Sequence, residues 1–134
     1  MTAILPMEPF TNMVMAQIEI WNKKSTNYSK MLITIDTGAS VTTISSDILH
    51  TLGYNTTNGV TKRITTASGS IYVKSINLTM RIGGIELNDI EVYAHAFPQE
   101  SFSLGVLGVN VLSLFDVNFA FSKRKIEFYT HNHE

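Results

Sequence analysis

The sequence predicts a mainly β fold in a single domain. Apolar and polar residues alternate with a period of two in several stretches, and β-branched runs abut turn-forming residues. Helical spacing is confined to two short stretches. The chain has 134 residues, 44% of them hydrophobic, and an ordinary domain holds roughly 100–150 residues. Residues 1–134 are therefore read as one unit. Residues 1–13 show no clean period and are read as a loosely held N-terminal arm.

The elements follow in order. In Val14 to Trp21, Ala16, Ile18 and Ile20 alternate with Gln17 and Glu19, the pattern of a half-buried strand, and Asn22 to Ser29 supplies a polar turn. A second strand, Met31 to Ile35, runs into Asp36-Thr37-Gly38-Ala39-Ser40, and Val41 to Ile44 resumes as strand. Ser45 or Ser46 suits the cap of a short helix through Leu52, with Gly53 placed for a left-handed end. Val60 to Thr66 and Ile71 to Ile82 flank the small-residue tip Ala67-Ser68-Gly69-Ser70 and read as a hairpin. The apolar set changes parity between Val73 and Ile76, which calls for a bulge or a change of sheet.

Gly83-Gly84 is a two-residue turn before the strand Ile85 to Tyr93. A loop from Ala96 to Ser103 leads to the apolar strand Leu104 to Leu107, to Gly108, and to a short helical stretch, Val109 to Leu114. Val117, Phe119 and Phe121 alternate before Ser122 to Lys125, and Ile126 and Phe128 after it, which closes the chain with a hairpin.

Composition excludes several functions. Without cysteine, neither a disulfide framework nor a zinc-thiolate site exists. A formal charge of -1 lacks the basic excess that neutralises phosphates, so nucleic acid is not an expected partner. Lys123-Arg124-Lys125 is read as the solvated tip of a hairpin. Met1 to Phe10 has no basic start and two prolines, which is unlike a signal peptide, and no apolar run spans a membrane; the expected location is cytoplasmic. Charged residues make up 16% of the chain against a usual ~25%, which points to surface hidden by self-association. His131 and His133 are read as solvated tail residues, so no metal or other cofactor is expected. Trp21 is read as a packing residue without aromatic neighbours, and Glu8, Asp89 and Glu91 receive no role.

Asp36 is the candidate for chemistry. A lone carboxylate is costly to bury, yet this one directly follows an apolar strand and precedes residues that permit close backbone approach. Alone, Asp-Thr-Gly fits either a turn or a site. Its context is Ile35-Asp36-Thr37-Gly38-Ala39-Ser40 between β-branched strands, with a second element, Val106-Leu107-Gly108, farther along.

With these motifs the chain, from Ile18 to Phe128, resembles a single-lobe, retropepsin-like aspartic protease of the free-standing cellular type. The resemblance implies a closed, barrel-like fold with a flap hairpin and one or two short helices, one lobe per chain. It also implies that Asp36 is the catalytic carboxylate, that the Thr37 hydroxyl locks two subunits' loops together, and that Gly38 and Ala39 complete the active-site loop. By the same resemblance, Ala67, Ser68, Gly69 and Ser70 form the flap tip over the substrate. Val106, Leu107 and Gly108 thread beneath the loop. Val109 departs from the family, which often has Arg or Met there, while Asn110 keeps the Asp or Asn that follows.

Aspartic protease chemistry needs two carboxylates about 3 Å apart sharing one proton. One Asp-Thr-Gly per chain makes half a site, so a two-fold homodimer is expected, cutting a peptide or protein substrate with water activated between two Asp36 side chains. The alternative is a non-catalytic dimer of the same fold that binds extended peptides or serves a structural role.

Overall fold

Strand-forming segments meet here as a barrel and a small terminal sheet. The computed structural model describes residues 1–8, 12–97 and 103–131. The elements are β1 (Thr2–Pro6), β2 (Met15–Asn22), β3 (Asn27–Ile35), β4 (Thr42–Ser45), α1 (Ser46–Thr51), β5 (Val60–Thr66), β6 (Gly69–Ile82), β7 (Ile85–His95), β8 (Gly105–Leu107), α2 (Val109–Leu112), β9 (Phe115–Ala120) and β10 (Lys125–Thr130). Strands β2-β3-β8-β4-β7-β6 lie side by side, and β6 returns to β2 through Glu19↔Arg81 and Ile20↔Met80. Closure leaves these six strands without a free edge between β2 and β6. The interior is filled by Ile18, Ile20, Ile33, Ile44, Met80, Val92 and Leu107, each at most 1% exposed.

β8 lies between β3 and β4, parallel to the first and antiparallel to the second. Among the described residues β5 pairs only with β6, and it continues the sheet as a hairpin outside the closed ring. The Gly83-Gly84 turn has φ of +53° and +91°, a left-handed pair that glycine adopts without strain and that a tight hairpin requires. β6 changes its buried set from Val73 and Ser75 to Leu78, Met80 and Ile82. The expected change of sheet does not occur: β6 stays in one seven-stranded sheet, paired with β5 at its start and with β2 near its end. A register shift opposite Leu78 and Met80 accompanies the new buried set, with Asp89 at φ +57°.

Four expectations need correction. The N-terminal arm is in part a strand: β1 pairs with β10, and Ala3 and Leu5 are buried against Ile126 and Phe128. Exposed Ile4 stands where the period calls for a polar residue, which hid the alternation. The polar turn is shorter than Asn22 to Ser29, because the Asn22 side chain accepts hydrogen bonds from the Lys24 and Ser25 amides at 2.9 and 3.1 Å and turns the chain within four residues. Trp21 has an aromatic neighbour after all, since that tight turn places Tyr28 opposite it, with ring centroids 5.3 Å apart. Phe121 leaves the alternating set: it begins a 3-10 turn at the β9–β10 tip and is exposed.

The barrel seam between β2 and β6 carries a paired charge. Arg81 donates from Nε and Nη2 to the two Glu19 carboxylate oxygens at 3.0 and 2.7 Å, with its guanidinium 4.1 Å from the Tyr28 ring centre. These hydrogen bonds hold the Glu19 carboxyl below the usual carboxylate range. A lowered folded-state value means that the stabilisation is complete at neutral pH and is lost as pH falls through that value. Glu19→Gln should therefore lower the melting temperature by a few degrees at pH 7, with the gap to the parent closing in strong acid. Melting curves at both pH values check this; an equal gap at both would contradict it.

Candidate active site

Ile33 and Ile35 point into the barrel, so the period of two places Thr34 and Asp36 on the opposite face of the chain. The strand ends there because the backbone turns through Thr37 and Gly38. The Asp36 amide donates to the Leu107 carbonyl at 3.1 Å, and the Ala39 amide returns to the Asp36 carbonyl at 3.3 Å. The Gly38 amide donates to Asp36 Oδ1 at 2.8 Å, which fixes the carboxylate's orientation. A Cβ on Gly38 would sit 3.1 Å from that same oxygen, so a side chain would crowd the group it orients. Asp36 is half-buried, whereas Thr37 and Gly38 are exposed at the surface of the single chain.

Val106 and Leu107 lie in register with Thr34 and Ile35 on one side, and Val106 faces Thr43 on the other. Gly108 then passes directly beneath the loop. A Cβ there would stand 2.7 Å from Val41 C, 2.8 Å from the Ala39 oxygen and 2.9 Å from the Thr42 nitrogen, all backbone. The Val109 and Asn110 amides at the start of α2 donate to the Ala39 and Ser40 carbonyls at 2.8 and 3.1 Å. Asp36, Gly38, Ala39 and Leu107 thus form one hydrogen-bonded assembly, with Gly108 packed against it.

Sequence reasoning missed two members. Thr42 accepts from the Gly108 amide at 3.0 Å through its hydroxyl oxygen and donates that hydroxyl to Asn110 Oδ1 at 2.9 Å. Asn110 Oδ1 also accepts the Thr42 amide at 2.8 Å, and Asn110 Nδ2 donates to the Glu91 carbonyl at 2.9 Å. Thr42 reads as one more β-branched strand residue, but Asn110 left a signal. It is the only polar side chain between Leu104 and Leu112, and a polar group in apolar surroundings needs partners.

The hairpin tip is tighter than expected, with Ala67 and Ser68 alone in the turn; Gly69 and Ser70 already pair with Thr66 and Thr65. Gly69 has φ +125°, and all four tip residues are exposed. Asp36 is the only ionisable side chain in 36–41 and 106–110. Among the described residues no group of three or more His, Asp or Glu side chains gathers for a metal. His131 lies 3.5 Å from Asp116, while His133 falls outside the described residues. A cavity of about 390 Å³, lined by apolar residues such as Met31, Ile48 and Leu104 together with Lys30, Ser45 and Asp47, takes no residue from the Asp36 loop or from 106–110. No described helix is long and apolar enough to cross a membrane.

Residues 23–114 match the family described as gag-polyprotein putative aspartyl protease. No curated protein matches the chain. Among solved structures, a retropepsin-like aspartic protease from Rickettsia conorii superposes with a TM-score of 0.70 at 20% identity, over 96% of this chain and 91% of that one. At that identity the match speaks to fold, and it agrees with the single-lobe barrel described above.

Proposed function

Because this chain belongs to the gag-polyprotein aspartyl protease family, we propose that it is an aspartic endopeptidase that works as a homodimer, with Asp36 as its catalytic residue. The observation that carries this reading is the presentation of Asp36. One half-buried carboxylate, oriented by the Gly38 amide, sits on a loop braced from below by Gly108 and α2. A turn-forming aspartate needs no such bracing.

The chemistry requires a second carboxylate, and two-fold symmetry supplies the partner's Asp36. Exposed Thr37 lies beside it, free to bond across the axis. Like charges that close share one proton. The ionised Asp36 accepts a proton from water as the water oxygen bonds to the scissile carbonyl carbon, and the protonated one donates to the carbonyl oxygen. Collapse of the tetrahedral intermediate breaks the C–N bond as the amine nitrogen takes the proton that the first Asp36 removed from water, the second Asp36 regains its proton from a hydroxyl of the intermediate, and a carboxylic acid and an amine leave. The hairpin tip, Ala67 to Ser70, covers an extended peptide held by strand-like backbone hydrogen bonds.

The purified chain should cut denatured protein or a peptide library within roughly pH 3.5–7, the range of carboxyl chemistry. Its specific activity should fall on dilution, as mass action requires of an obligate dimer. Cleavage by a species that sediments as a monomer at every concentration would contradict the two-chain site. Binding of extended peptides without any cleavage would favour the non-catalytic alternative.

A further inference from the structure

Glu91 has no part in the chemistry above, yet it joins the β5–β6 hairpin to the catalytic loop. Its carboxylate oxygen Oε2 accepts the Ser75 hydroxyl of β6 at 2.6 Å and lies 3.8 Å from Lys62 Nζ of β5. Its backbone carbonyl accepts from Asn110 Nδ2 at 2.9 Å, and Asn110 in turn holds Thr42, which holds the Gly108 amide. One residue is thereby bonded through its side chain to both strands of the hairpin and through its backbone to the segment beneath Asp36.

The topology makes this connection matter. Among the described residues β5 pairs in the sheet only with β6, so no second described strand holds the hairpin's outer strand. The Lys62–Glu91 contact crosses β6 and ties β5 directly to β7. We propose that Glu91 is a positioning residue that sets the angle of the hairpin over the catalytic loop and so tunes substrate affinity. Its effect falls on binding and not on the chemical step, because it touches neither Asp36 nor the space where water attacks. The Lys62 pair is half-exposed and weak by itself. The Ser75 hydrogen bond to a charged acceptor is the stronger part.

The kinetic test rests on the endopeptidase reading; a second readout does not. Glu91→Ala should raise KM about three- to tenfold with kcat within about twofold of the parent, the pattern of lost binding. Glu91→Gln, which keeps an acceptor for Ser75, should do less. Lys62→Glu should raise KM, and Lys62→Glu combined with Glu91→Lys should recover only part of the loss, because the swap restores the ion pair but not the Ser75 bond to a carboxylate. In parallel, amide exchange in the free protein should speed up at residues 60–66 in Glu91→Ala and stay unchanged in β2 and β3. If the parent cleaves nothing, the endopeptidase reading fails while the exchange data still judge the tie. Unchanged exchange at 60–66, uniform acceleration throughout the barrel, or a fall in kcat and melting temperature without a KM change would overturn the role given to Glu91.

Discussion

Asp36→Asn should abolish peptide cleavage while leaving fold and assembly intact. Asparagine keeps the shape of the side chain and an oxygen for the Gly38 amide, so the local packing survives. It removes the charge that accepts the proton from water, and in a dimer it removes both copies at once. General acid–base assistance contributes about 10²–10⁴-fold at each step, so kcat/KM should fall by at least about 10³-fold. The comparison is made at concentrations where parent and variant sediment alike and give the same circular dichroism. Residual activity above about a tenth of the parent's would remove Asp36 from the mechanism.

Gly108→Ala should be the most damaging single methyl in the chain. Its Cβ would meet three backbone atoms at 2.7–2.9 Å, and backbone has no rotamer with which to yield. Either β8 withdraws from between β3 and β4 or the loop carrying Asp36 lifts. Overpacking of this kind costs roughly 1–3 kcal/mol or more, and a displacement of about 1 Å at the reacting centre costs on the order of 10²-fold in rate. We expect both losses, read from the urea midpoint and from kcat/KM. Gly38→Ala makes a useful contrast: its new methyl meets only the Asp36 side-chain oxygen at 3.1 Å, so it should lower activity with little loss of stability. Parent-like stability and activity in Gly108→Ala would show that the threading strand is not packed as described.

The parts of the fold written in period two were legible, because burial on one face of a strand leaves that trace directly. Ala16, Ile18 and Ile20 and the Gly83-Gly84 turn appear where the pattern placed them, and the parity change along β6 falls just beyond, after Ser75. β1 was not legible, since Ile4 is apolar yet exposed and its strand partner lies at the other end of the chain. At the candidate site, Asp36-Thr37-Gly38 and Val106-Leu107-Gly108 announced themselves by residue types that a tight loop and a close approach require. Thr42, Asn110 and Glu91 did not, because their roles come from tertiary hydrogen bonds between distant segments. Thr42 and Asn110 are 68 positions apart and still share two of them. Asn110 carries no sign of its partners in the sequence; its side-chain bonds make it a brace beneath the loop.

The claim that two Asp36 side chains make one site is tested most directly by mixing. Parent and Asp36→Asn chains are combined at fixed total concentration, equilibrated, and assayed on one peptide as the parent fraction is varied. If each active unit needs an Asp36 from both protomers, activity should follow the square of the parent fraction, reaching about a quarter of the full value at equal mixing, because mass action populates mixed dimers that are inactive. A straight line through the same points, with half the activity at equal mixing, would mean that each chain carries a complete site and would contradict the account.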